Sequence, residues 1–260
     1  MDNRKDGPGG LESIRLMSTR LLEISSNSIA SALAAQAGGA GRVELCGALE
    51  LGGLTPSHAG IAMARERLRI PLYVLIRPRA GDFLYDDDEC EAMRRDIETC
   101  VALGCDGVVL GALDADGDVD MERCYGLIAA AGHAGVTFHR AFDLVRDPRR
   151  ALDDVIALGC ERVLTSGAQA SAMEGAALIR ELVAQAAGRI AIMPGAGVTA
   201  DNLPVLAAAT GAREFHASAK RQLASGMRHR PPRLADMQGG ELRSDVEQVR
   251  ALAHALQSVF

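Results

Sequence analysis

Residues able to do chemistry recur at one kind of place in this chain, at or just beyond the end of a short apolar run. Glu23 lies in LLEISS, Glu44 and Cys46 in RVELC, Arg77 and Arg79 in LIRPR, and His139, Arg140 and Asp143 in TFHRAFD. Thr165 and Ser166 follow in LTSG, Gly195 and Gly197 in MPGAGV, and His216 and Ser218 in EFHAS. Carboxylates and imidazoles gathered in one site can move protons near neutral pH. Glu23, Glu44, His139, Asp143 and His216 are therefore the candidate acid–base groups. Arginine suits an anion, because its planar fork offers two parallel donors to carboxylate or phosphate. Arg77, Arg79 and Arg140, with Thr165, Ser166, Gly195, Gly197 and Ser218, form the candidate substrate-binding set. Of the six cysteines, Cys46 is the one placed to touch such a site.

Something must bring these ends together, and a repeat supplies it. Gly39-AGRVELC, Gly104-CDGVVLG, Gly159-CERVLTS and Gly211-AREFHAS align on their glycines, which are 65, 55 and 52 residues apart. Each follows an Ala- and Leu-rich helical pattern and leads into an apolar stretch, which reads as helix, glycine cap, short loop and buried strand. The steps leave room for one more strand each, at LLEIS, LYVLIRP, VTFHR and RIAIMPG. Eight strands alternating with helices imply parallel pairing by right-handed crossovers. The first strand ends SSNSIAS, without the GxGxxG turn of an open dinucleotide-binding sheet. The expected fold is α/β, a single (β/α)8 TIM-type barrel over residues 21–260.

Residues two apart share a strand face. Glu44 aligns with Val109, Leu164 and His216, and Cys46 with Gly111, Ser166 and Ser218. Charged and imidazole groups pack poorly against the outer helices, so this set is expected to face the barrel axis or its mouth. Active sites of such barrels lie at the C-terminal strand ends. Thr55 and Pro56 read as the cap and first residue of a helix after GGL. RPRAGDFLYDD reads either as an anion clamp or as a loop closed by its own ion pairs. GAGVTADN is expected to open a helix and expose N–H groups to an anion. Cys105 and Cys160 fall at the opposite end, and Cys90, Cys100 and Cys124 on helices, where small buried hydrophobes are the ordinary reading.

Composition sets the outer limits. The chain has 260 residues, net charge −6 and no Trp, so it needs an aliphatic core and lacks the basic surface of a nucleic-acid binder. No apolar run approaches the length of a membrane span. Residues 1–20 are polar and Gly-rich and read as a disordered extension, with Met17 as an alternative start. Six cysteines without a CxxC pair, and no leader, point to free thiols in the cytoplasm. Residues 223–243 break the repeat and read as a long loop.

RVELC with GGLTP, then IRPRAGDFLY, VTFHRAFD, RVLTSG, and GAGV with an E-x-H-x-S strand, resemble the CutC family in matching order. The resemblance implies a cytoplasmic barrel, a homo-oligomer, and a role in copper homeostasis with Cu(I) as partner. It points to Cys46 as the candidate copper ligand at the barrel mouth, and the chain offers Met193, at the end of the seventh strand, as a second soft donor. The residues themselves leave open an alternative, a lyase- or isomerase-type barrel enzyme acting on a small anionic, phosphorylated or carboxylated metabolite. In that reading His139 or a carboxylate is the general base.

Overall fold

A computed structural model describes residues 20–229 and 239–259. The extension expected over residues 1–20, apart from Arg20, lies outside the described residues, as does the Pro231-Pro232 pair.

Eight parallel strands form the barrel: β1 (Leu21–Ser26), β2 (Arg42–Leu45), β3 (Leu72–Leu75), β4 (Gly107–Leu110), β5 (Gly135–Phe138), β6 (Arg162–Thr165), β7 (Ala191–Pro194) and β8 (Glu214–Ala217). They pair in the order β7-β6-β5-β4-β3-β2-β1-β8, and β7 and β8 lie side by side to complete the ring. The helices between and after them are α1 (Ile29–Ala37), α2 (His58–Arg67), α3 (Asp87–Ala102), α4 (Met121–Ala131), α5 (Pro148–Ala157), α6 (Ala176–Ala186), α7 (Leu203–Thr210) and α8 (Val246–Ser258). The four repeat glycines all have positive φ, which a side chain would resist, and each ends a helix as the alignment implies. Among the described residues no helix is long and apolar enough to cross a membrane.

Caps fix where several helices begin. Asp86 and Glu89 form a reciprocal capping box at α3, and Asp147 accepts from two backbone N–H groups with Pro148 in the first position of α5. The α2 cap is Ser57, not Thr55, whose hydroxyl instead accepts the Arg77 backbone N–H at 2.9 Å. The segment after β8 is not simply a loop. Lys220–Leu223 (β9) and Glu241–Ser244 (β10) pair as an antiparallel ribbon, which returns the chain to α8 beside the barrel mouth.

Strand alternation separates two interiors. Val43, Leu45, Val74, Val108, Leu110, Phe138, Val163, Ile192 and Phe215 point outward into the aliphatic layer beneath the helices. Inside the barrel the filling is ionic, where branched aliphatic residues are usual. Arg42 pairs with Glu23 and, at 2.7 Å, with Glu214. Arg162 bonds Glu214 and Glu161 at 3.0 Å, and both guanidiniums lie about 5 Å from the Tyr73 ring centre. Gly107 gives that ring its room, since a Cβ there would sit 2.2 Å from it.

Candidate active site

Directly above this ionic belt, β1, β2 and β8 bring three titratable groups together. Glu23 accepts the Arg42 Nε–H on one carboxylate oxygen, while the other lies 2.8 Å from His216 Nδ1. The far nitrogen, His216 Nε2, is 3.7 Å from Glu44 Oε2. Since Glu23 takes the Nδ1 proton, Nε2 is the imidazole nitrogen left to exchange one with Glu44.

The environment tunes each group differently. Burial pushes Glu23 up, but the Arg42 charge and the bonds from His216 and Arg42 outweigh it, leaving the carboxylate far below its usual range. Glu44 is raised, because burial and the Glu23 charge exceed the help it receives from His216, Ser25 and Arg42. Burial lowers His216, yet Glu44 and Glu23 together hold it above an ordinary imidazole. A reluctant carboxylate facing a readily charged imidazole is the arrangement in which a proton can move between two nearly matched sites.

These groups open on a cavity of about 790 Å³ at the C-terminal mouth. Glu44, Cys46, Arg77, His139, Arg140, Asp143, Gly197, His216 and Ser218 lie on its wall, drawn from β2, β3, β5, β7, β8 and the loops beyond them. Glu23 lies beneath, fully buried. Walls of Leu49, Leu75, Phe83, Leu144, Leu164 and Leu252 give the rest of the space an apolar character. Two polar lining groups come from outside the repeat: Lys220 at the start of β9 and Gln248 on α8. No sequence signal marked them, because only the ribbon and the last helix place them at the mouth.

Several expected site residues serve the frame. Arg79 is not on the cavity wall; it bonds Glu89, Asp82 and the Leu84 carbonyl, so the loop closes on its own ion pairs. Arg77 reaches the wall, but its guanidinium donates to the carbonyls of Leu51, Gly53 and Gly81 and so ties two mouth loops together. Asp143 accepts from Thr165 Oγ1, the backbone N–H groups of Ser166 and Ala168, and Arg140 Nε. Its oxygens are thus committed to holding the β6 loop, and Thr165 and Ser166 face that loop, off the cavity wall. Gly195 is likewise off the wall; a Cβ there would meet Leu164 at 2.5 Å and His216 at 3.3 Å. Met193 lies under Arg42, whose Nη2 is 3.4 Å from its sulfur, and does not join Cys46.

The Gly-rich turn after β7 does not open directly into a helix, since α7 starts only at Leu203. It nevertheless presents Ala196, Gly197 and Val198 to the cavity, and among the described residues no protein acceptor takes their N–H groups. Ala196 and Ala219, both on the wall, hold positive φ values of 76° and 46° without being glycine, a strain that tends to collect at functional sites.

Cys46 is the thiol of this cavity, 3.7 Å from Ser25 Oγ. Burial, then the Glu44 charge, pushes it up to about 12. A Cu(I) centre wants two or three soft donors, and the neighbours of Cys46 offer hydroxyl and carboxylate oxygen. The donor set does not fit tight Cu(I) binding by this chain alone. Away from the cavity, Cys100 and Cys105 lie near each other where α3 ends before β4, at the opposite end of the barrel, joined by a backbone hydrogen bond. Glu23, Glu44 and His216 offer three hard ligand atoms within 4.8 Å, but Arg42 and His216 already occupy Glu23.

Comparison with known proteins gives a consistent picture. The CutC family model matches residues 20–221. A family protein CutC of Xanthomonas campestris pv. campestris (strain B100) is 60% identical over 237 residues, covering 91% of this chain and 99% of that protein. A copper homeostasis protein cutC homolog of Mus musculus is 50% identical over 210 residues, 81% of this chain and 77% of that one. The crystal structure of a Streptococcus agalactiae protein described as CutC superposes with a TM-score of 0.73 at 35% identity, covering 76% of this chain and 98% of the other.

Proposed function

The chain belongs to the CutC family, and within that family we propose that its barrel mouth is an enzyme site that moves a proton on a small anionic metabolite. The observation that carries this reading is His216 bracketed by Glu23 and Glu44 on the floor of a large mouth cavity. Glu23, held ionised by Arg42, fixes the imidazole with Nε2 toward Glu44. Glu44 and His216 then share one exchangeable proton at the place where a ligand enters. On the same cavity wall, Arg140, Lys220 and the amides of Ala196, Gly197 and Val198 supply cationic and N–H donors for a carboxylate or phosphate. An isomerase or lyase needs these two parts, one to hold the anion and one to remove and return a proton. The family's cytoplasmic setting and homo-oligomeric assembly belong to the same reading.

The test is retention of metabolites. Purified protein is dialysed against mixed carboxylated and phosphorylated metabolites in D2O, and the bound fraction is analysed by mass spectrometry. Wild type should retain an anion and exchange one carbon-bound hydrogen for deuterium; Glu44→Gln should retain it without exchange, and Arg140→Ala with Lys220→Ala should lose it. No retained anion at millimolar concentration, or exchange that survives Glu44→Gln, would refute the reading.

A second reading, Cu(I) as the cargo, is favoured by one observation: Cys46 lies on the cavity wall. Anaerobic Cu(I) titration against a competing chelator separates the two. Tight one-to-one binding lost in Cys46→Ser, and kept in Cys100→Ser with Cys105→Ser, would put copper in the mouth. Binding unchanged by Cys46→Ser would remove the mouth from the copper role.

A further inference from the structure

His139 is the mouth residue whose chemistry the fold leaves unused. It directly follows β5, is only 4% exposed, and packs at a tilt against Phe83 from the loop after β3, with ring centres 4.8 Å apart. Its Nδ1 accepts the Ala141 backbone N–H at 3.2 Å, so the proton of the neutral ring sits on Nε2. Burial, and then the neighbouring Arg77 charge, pushes the imidazole down to about 3, so the ring stays neutral. Gly111 keeps the space beside it, since a Cβ there would lie 2.8 Å from Nδ1. That leaves Nε2–H as a buried donor with no protein acceptor among the described residues, on the wall of the cavity. A ring in this state is a poor general base, which revises the role expected for it from sequence.

We propose that His139 donates its Nε2–H to a carbonyl oxygen of the ligand, and hence that the small anion taken by this site is an oxo acid. This rests on the mouth being a ligand site, as proposed above. The neighbours argue for carbonyl over hydroxyl. Phe83 is apolar and Arg77 is itself a donor, so a hydroxyl here would accept from Nε2–H but leave its own proton unpaired. The carboxylate belongs with Arg140, Lys220 and the β7 turn, which also line the cavity. A carbonyl polarised by a neutral imidazole acidifies the adjacent C–H, which is the bond the Glu44–His216 pair would need to open. The electron pair passes onto the carbonyl oxygen as an enolate forms, held by the Nε2–H hydrogen bond, the proton passes to the Glu44–His216 pair, and its return to carbon restores the balance.

The test uses 4-methyl-2-oxopentanoate and 4-methyl-2-hydroxypentanoate, whose aliphatic tails suit the leucine walls. The oxo acid should bind about tenfold more tightly to wild type. His139→Phe should erase that preference, and His139→Gln, which keeps an N–H donor, should retain part of it. Nitrogen-15 spectra of the imidazole should show the neutral Nε2–H tautomer throughout pH 5–8. Equal binding of both acids, failure of the oxo acid to bind at about 10 mM, or His139 protonated or carrying its proton on Nδ1 would each overturn the inference. If the dialysis experiment still returns a retained anion with Glu44-dependent exchange, only the oxo-acid assignment falls; if it returns none, the site reading falls with it.

Discussion

Glu23→Gln probes the ionic belt at its most connected point. The wild-type carboxylate is fully buried and accepts from both Arg42 and His216 Nδ1. Glutamine has one oxygen to offer, so its amide group must face either the guanidinium or the imidazole, donor against donor. Arg42 keeps Glu214, but a buried cation has lost one of its two carboxylates. Removing one partner of a buried ion pair costs about 3–5 kcal/mol. Against a domain stability of about 5–15 kcal/mol, that loss is severe. At about 2–4 °C per kcal/mol for a chain of this size, the melting temperature should fall by about 6–20 °C. The assay is guanidinium unfolding followed by far-ultraviolet circular dichroism, with Arg42→Met and Glu23→Gln/Arg42→Met completing a double-mutant cycle. The double variant should recover to within about 2 kcal/mol of wild type, because replacing both members of a buried pair is often close to neutral. A single-variant loss below about 1 kcal/mol, or a double variant no better than the worse single, would refute the reasoning.

Three further outcomes follow from the same geometry. Glu23 titrates well below its ordinary 4.5 in the fold, so its contribution is complete above that pH and is lost as pH falls below it; acid unfolding of wild type should be steeper below about pH 4.5 than that of Glu23→Gln/Arg42→Met. Asp143→Ala should cost about 2–4 kcal/mol by stranding the N–H groups of Ser166 and Ala168, and hydrogen exchange at those amides should speed up, an outcome that a merely solvated carboxylate would not give. Gly107→Ala must displace the Tyr73 ring from between Arg42 and Arg162, at a cost of about 1–3 kcal/mol by denaturant melt, and an unchanged midpoint would mean the ring is not held there.

The barrel was legible because its signal is repeated. Four helix–glycine–strand copies fix the spacing, and one wrong boundary would have disturbed the rest. Strand alternation also sent Glu44, His216 and Cys46 inward together. Neither rule says which inward polar groups meet a ligand and which meet each other. Asp143, Thr165 and Ser166 look in sequence like a binding set, but the three-residue step from Arg140 to Asp143 lets the carboxylate pair with that guanidinium and fold back onto the β6 loop. Arg79 was legible as a charge beside a Gly hinge, while its partner Glu89 arrives only once α3 is capped. Arg42, Arg162, Glu214 and Tyr73 carry no site signal in sequence, because a charged or hydroxyl-bearing residue early in a strand reads as an exposed end. Barrel closure turns those four positions inward onto one another.

That belt gives the last argument about function. An aliphatic filling would serve stability at least as well, since desolvating several charges cancels most of their attraction. What the belt does that leucines would not is hold Glu23 ionised against burial, and through it fix the Nδ1 proton of His216. Stability and proton placement should therefore separate in Glu23→Gln/Arg42→Met. The double variant should fold nearly as well as wild type, yet its His216, left with Glu44 as its one carboxylate partner, should titrate lower than in wild type and take either tautomer. Imidazole nitrogen-15 shifts report both properties directly. A double variant that is stable and still shows His216 protonated on Nδ1 above the ordinary histidine range would mean that Glu44 alone poises the imidazole, and that the belt serves the fold rather than the site.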